Sequence, residues 1–149
     1  MVKVVIIGRG EPTPRQVSLL AKALGTEPSE VEFVERIEQL NNAQQVVETL
    51  ARTGATAVFS FVAHPTVVSA LQQARKKVSF DYFVPQTEAV HTATVGTIEE
   101  AKQLCQQHGA DIVNAKVLPD GSVSVRCTRT QGLMRNPVLR IEYEELITD

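Results

Sequence analysis

The chain has no tryptophan, few aromatics and no apolar run long enough to span a membrane. Its first apolar stretch, Val2 to Ile7, carries Lys3 inside it and is far too short for a bilayer span or a signal peptide. Charge of one sign is also missing. A net charge of -2 gives no general attraction to nucleic acid or to a lipid surface, so neither large nucleic acid nor membrane is expected as a partner. There are only two cysteines, Cys105 and Cys127, and they lack the spacing of a disulfide framework. With no export signal they read as reduced thiols of a cytoplasmic protein. No Walker loop or nucleophile elbow occurs, and no cofactor is implied.

The 149 residues suffice for one domain with a real core. The opening is the best-specified stretch. Val2 to Ile7 predicts a strand, Gly8-Arg9-Gly10-Glu11-Pro12 a loop, and Thr13-Pro14-Arg15-Gln16 a helix start. Thr13 and Gln16 have capping-box spacing, Pro14 falls at the first helical position, and Val17, Leu20, Ala21 and Leu24 form an apolar face ended by Gly25. Val31 to Ile37 predicts a second strand whose interleaved glutamates mark a sheet edge. Asn42 and Gln45 open a second helix that Gly54 closes. Ala55 to Val62 is apolar enough for a strand covered on both faces. After Ala63-His64-Pro65-Thr66 comes a third helix, then a fourth strand over Val78 to Val84, closed by Pro85.

Alternating strands and helices predict an α/β fold: a parallel sheet in the order 2-1-3-4 with helices on both faces, occupying residues 1–86. Residues 87–149 predict a C-terminal α+β extension. It holds a short strand near Thr92 to Val95 and a helix capped by Thr97 and Glu100, with Ile98, Ala101, Leu104 and Cys105 inward. A hairpin turning at Pro119-Asp120-Gly121 follows, then a loop from Thr130 to Pro137 and a last strand with Leu139, Ile141 and Tyr143 on one face. This part either extends the sheet, forms a small lobe of the same domain, or pairs with a second copy.

Ligands of open parallel sheets bind beyond the carboxyl ends of the strands, where the strand order reverses. That rule nominates the loops Gly8 to Pro12 and Ala63 to Thr66. Gly8 and Gly10 permit close backbone approach, Arg9 brings a full positive charge, and helix-start amides favour an anion. Against this, Pro12 and Pro14 remove amides, and Thr13 stands where a dinucleotide fingerprint has its third glycine. The loop otherwise reads as an ordinary turn. His64, at the mouth of a helix, is the candidate base; as an N-cap it would be merely structural. Ser60 and Thr66 are possible hydrogen-bond partners. Cys105 and His108 share a helix face, but a metal would need the fold to bring in Cys127 and His91, so no metal site is expected. Arg126, Arg129, Arg135 and Arg140 gather positive charge, balanced on this reading by Glu142, Glu144 and Glu145. The scarcity of aromatics there argues against an RNA-stacking surface.

Taken together, Val2–Ile7 running into the Gly/Arg loop, Thr13-Pro14 with Gln16 opening a helix that ends at Leu24-Gly25, and Ala57 to Val62 leading into His64-Pro65-Thr66 resemble a known group. Roughly the first 85 residues are similar to the small Rossmann-like, CRISPR-associated proteins of antiviral defense, namely CARF domains and ring-nuclease-like proteins. The resemblance implies a cytoplasmic homodimer binding a cyclic oligoadenylate in a groove between copies, with Arg9, Gly10, Thr13, His64 and Thr66 at the ligand. Any cleavage would be a metal-independent phosphodiester transesterification, the ligand's own 2′-OH attacking with His64 as base. Two other readings stand beside it. One is a non-enzymatic assembly protein whose C-terminal strands pair between subunits; the other is a small-molecule enzyme using the same crevice.

Overall fold

The computed structural model describes residues 1–140 and 145–148, with side chains for 1–139. The strands are β1 (Val2–Ile7), β2 (Val31–Ile37), β3 (Ala57–Ser60), β4 (Asp81–Val95), β5 (Ile112–Val117), β6 (Val123–Arg135), β7 (Pro137–Arg140) and β8 (Glu145–Thr148). The helices are α1 (Pro14–Ala23), α2 (Ala43–Thr53), α3 (Pro65–Arg75) and α4 (Ile98–Gln107). The main sheet runs β2-β1-β3-β4-β6-β5, and β7 pairs separately with β8.

Local rules set the first half. The Thr13/Gln16 and Asn42/Gln45 capping boxes both close, each side chain accepting from one backbone amide while the glutamine reaches back to another. The parallel pairings β1–β2, β1–β3 and β3–β4 give the expected order 2-1-3-4. β1 and β3 lie in the middle, and successive residues of β1 face opposite layers. Val5, Ile7 and Val58 pack with Val46, Leu50, Val67 and Leu71 of α2 and α3, whereas Val4, Ala57 and Phe59 pack with Leu20 of α1. Each large apolar side chain fully buried this way contributes about 1.5–3 kcal/mol. β2 is the edge, as its glutamates predict, and Glu35 there is paired with Arg52 of α2.

The sheet is not wholly parallel. β4 runs through Pro85 to Val95, and β6 pairs with it antiparallel along most of that length, with β5 antiparallel beyond. Pro85 does not end the strand because it sits next to a register shift at Gln86/Thr87, where a missing N–H is tolerated. For the same reason the expected loop from Thr130 is strand as far as Arg135: it is the partner that the prolonged β4 requires. β4 thus crosses the expected boundary at residues 86/87 and carries one sheet into the extension. Asn136, in the left-handed region at φ 49°, turns the chain from β6 to β7. Its side chain accepts from Tyr82 N at 2.8 Å and donates to Asp81 at 2.8 Å, while the Tyr82 hydroxyl donates to the Pro137 carbonyl. Of the expected last strand, Leu139 lies in β7, while Ile141 and Tyr143 fall outside the described residues.

A second small core lies under α4, where Ala101 and Cys105 meet Val123, Val125 and Cys127 of β6. The two cysteines are not free thiols. They form a disulfide joining α4 to β6 across 22 residues. Closing a loop of that size restricts the unfolded chain by about 3 kcal/mol in the chain-entropy account. The pairing escaped the spacing argument because it joins a helix to a strand rather than following a framework pattern. Ile98, expected inward, is 41% exposed at the first turn of α4.

Candidate functional site

β1 and β3 are neighbours, and β2 and β4 flank them on opposite sides, so strand order reverses between β1 and β3. Their outgoing loops leave one rim together: Phe61 N donates to Ile7 O at 3.0 Å, and Gly8 N to Ile37 O at 2.9 Å. The Phe61 ring packs over the first loop. A methyl group on Gly8 would meet Phe61 and Val62 at 3.3 Å, and Gly8 itself sits at φ +107°, where a side chain is strained.

Arg36, at the end of β2, fixes that loop. Its guanidinium donates to Gly8 O at 2.7 Å, to Gly10 O at 2.8 Å and to Glu11 Oε1 at 2.6 Å. The carbonyls therefore face Arg36, which the sequence reading did not single out. Arg9 lies between the two clamped residues, exposed and without a hydrogen bond or ion pair among the described residues.

The start of α1 is more occupied than its sequence suggests. Pro14 has no N–H, Gln16 N donates to Thr13 Oγ1 at 3.2 Å, and Thr13 N donates to Gln16 Oε1 at 3.0 Å. The Thr13 hydroxyl donates to Asp111 Oδ2 at 2.6 Å. Asp111 also accepts from Thr130 N at 2.7 Å and Thr130 Oγ1 at 2.8 Å. Gln16, fully buried, donates to that same Thr130 hydroxyl at 3.2 Å, and Arg15 Nε donates to Thr130 O at 2.5 Å. Partial burial raises the Asp111 carboxyl, but the bonds from Thr13 and Thr130 outweigh it and hold the group below the usual carboxylate range. The helix start is thus supplied with a carboxylate by the chain's own extension. No periodicity or motif around Asp111 marked it in advance.

Beside this knot opens a crevice of about 470 Å³, lined by Gly10, Glu11, Thr13, Phe61, Asp111 and Val113 among others. Its carboxylates suit donors such as hydroxyl and amino groups better than phosphate oxygens.

On the second loop His64 is the N-cap of α3, its Nδ1 accepting from Thr66 N at 3.2 Å. That bond assigns the ring proton of the neutral form to Nε2 and leaves the exposed edge a donor. Thr66 is exposed with its amide engaged by His64. Ser60, fully buried, both donates to Val62 O at 2.7 Å and accepts from Val62 N, which makes it a turn former. No protein-family model, curated protein or solved structure matches this chain.

Two features lie away from the rim. Two of the C-terminal arginines have partners: Arg129 pairs with Glu88 at 2.7 Å, and Arg135 with Asp81 at 2.6 Å while lying over the Phe83 ring, whereas Arg126 is exposed with no side-chain partner among the described residues. Glu142 and Glu144 fall outside the described residues, as do the side chains of Arg140 and Glu145. The fold also brings together the four residues that a metal reading would require. His91 stands opposite Cys127 in the β4–β6 ladder, and its ring stacks on His108 with centroids 3.9 Å apart.

Proposed function

We propose that this chain binds a phosphate-bearing nucleotide, of the cyclic oligoadenylate class that CARF and ring-nuclease-like proteins take, at a rim shared by two copies. The carrying observation is the unpartnered, exposed Arg9 on a loop pinned by Arg36, on the same rim as the exposed donor edge of His64. A guanidinium held on a fixed backbone is a preorganised phosphate ligand. The adjoining crevice, with Phe61 and the Asp111 carboxylate, takes the ribose hydroxyls and base. In this arrangement Gly8 and Gly10 serve the loop itself, since Phe61 and Val62 fill the space beside them, and Thr13 acts through Asp111 rather than on the ligand. His64 enters as a hydrogen-bond donor: Nδ1, whose lone pair a base would use, is engaged by Thr66 N–H. Binding is therefore favoured over turnover.

The test is thermal denaturation with and without cyclic oligoadenylates. A ligand at 100 times its dissociation constant stabilises the native state by about 2.7 kcal/mol, a rise of roughly 5–10 °C for a chain of this size. Arg9→Ala should remove the rise while leaving the ligand-free melting temperature unchanged. No rise with any member of the series would discard the reading.

One observation favours a second reading, that of an assembly protein. β5 is the outer strand of the sheet, paired on one side only, and exposes Val113 and Val117. Light scattering that shows a dimer broken by Val117→Lys, together with no ligand response, would select it. Among the described residues no helix is long and apolar enough to cross a membrane.

A further inference from the structure

α4 and the β4–β6 ladder meet at a quartet of metal-ligating residue types. Cys105 and His108 are three apart at the end of α4 and lie on one helix face. Cys127 and His91 are cross-strand partners, which places their side chains on one face of the sheet. The disulfide joins the two pairs through their sulfurs, with the Cα atoms 4.9 Å apart, and the imidazole stack joins them a second time. Each cysteine thus has a histidine beside it. Neither imidazole makes a hydrogen bond to any described residue, although His91 is half-buried, so four ring nitrogens stand without protein partners.

While the disulfide is closed, no three such groups among the described residues are arranged to hold a metal. The sulfurs are bonded to each other. Tetrahedral zinc holds each sulfur at about 2.3 Å, which separates two thiolates by roughly 3.8 Å. With the Cα atoms 4.9 Å apart, opening the bond leaves the two sulfurs near that separation, and rotation about the cysteine side-chain bonds adjusts it. His108 is the exposed C-cap of α4, so its ring can leave the stack on His91 toward solvent.

We propose that opening this disulfide creates a Cys2His2 zinc site from Cys105, Cys127, His91 and His108. A dithiol reductant gives two electrons and two protons to the S–S bond and becomes a disulfide itself. Zinc then displaces the two thiol protons and takes one nitrogen lone pair from each imidazole as the stack opens. Peroxide reverses the exchange: it takes two electrons from the thiolate pair and two protons from solvent to become two waters, re-forms the disulfide and expels the metal. In either state α4 stays tied to β6, once by a covalent bond and once by a metal.

Cobalt(II) is the probe. The chain is reduced with a phosphine, which leaves as its oxide, and titrated with cobalt under nitrogen. The reduced protein should show the intense visible bands of tetrahedral cobalt thiolate at one ion per chain, and zinc should bleach them. The oxidised chain should show none. The His91→Gln, His108→Gln double variant keeps its disulfide and serves as the folded control. Once reduced, it should bind more than about 100-fold more weakly, a loss beyond that of a merely supporting group. Hydrogen peroxide should release zinc to a colorimetric chelator. Cobalt uptake by the reduced chain no greater than that of the double variant, or only the weak bands of six-coordinate cobalt, overturns the proposal. So does a reduced chain that unfolds and is not refolded by zinc.

Discussion

Removing the Asp111 carboxylate should be among the most damaging single substitutions outside the apolar core. The group accepts three short hydrogen bonds, two of them from Thr130, which is 0% exposed. A hydrogen bond to a charged acceptor contributes about 1.5–3 kcal/mol, and a buried donor left without a partner costs about 1–3 kcal/mol. The three bonds share one carboxylate and do not add. Asp111→Ala should therefore lower stability by about 3–5 kcal/mol, or roughly 6–20 °C in melting temperature. Asp111→Asn keeps an acceptor for Thr130 N, and both threonine hydroxyls can turn to accept from its amide, so it should cost only about 1–2 kcal/mol. The assay is urea denaturation at a series of pH values. The folded carboxyl titrates below its ordinary value, so its stabilisation is present above the unfolded pKa of about 3.9 and is lost as pH falls through the folded value. The gap between wild type and Asp111→Ala should be widest near neutrality and should narrow on acidification. A gap under about 0.5 kcal/mol at pH 7, or one that widens with acid, would refute the reasoning.

Arg36→Ala should cost about 1–2 kcal/mol and speed amide exchange in residues 8–12, because two loop carbonyls lose a charged donor. Unchanged exchange there would mean that Phe61 alone holds the loop. Gly8→Ala should destabilise by about 1–3 kcal/mol, through its positive φ and the 3.3 Å approach to Phe61 and Val62, and should abolish any nucleotide response. A fully stable Gly8→Ala protein that still responds would show that the loop is not held as described.

What the chain's residues disclose in advance follows the range of the interaction. Capping boxes act over three residues, so Thr13/Gln16 and Asn42/Gln45 are readable from spacing alone. The Thr97/Glu100 pair shows how narrow that reading is. Thr97 caps as expected, yet Glu100 reaches Gly96 N rather than the N-cap amide. The parallel sense of the first four strands is legible because right-handed crossovers leave few alternatives, whereas their order 2-1-3-4 is one of several arrangements that those connections permit. The course of β4 beyond Pro85 is not, since it depends on a partner strand that begins at Val123. Asp111 contacts Thr13 across 98 residues, and Arg36 contacts Gly8 across 28; no local period encodes either. In the candidate site, the backbone framework around Arg9 and His64 was visible in the sequence. The side chains that hold it were not.

The knot of Thr13, Gln16, Asp111 and Thr130 has a consequence for how the molecule is made. A nascent chain that has just produced β4 exposes one long open strand edge and keeps the Gln16 amide waiting for Thr130. At ordinary rates of translation, the stretch from Val95 to Arg135 takes about 2–8 s to emerge. Through that interval the amino-terminal half is an unfinished object with a pairing-competent border. A proteolytic fragment ending near Val95 would stay in that condition permanently, and should precipitate rather than behave as a small stable module.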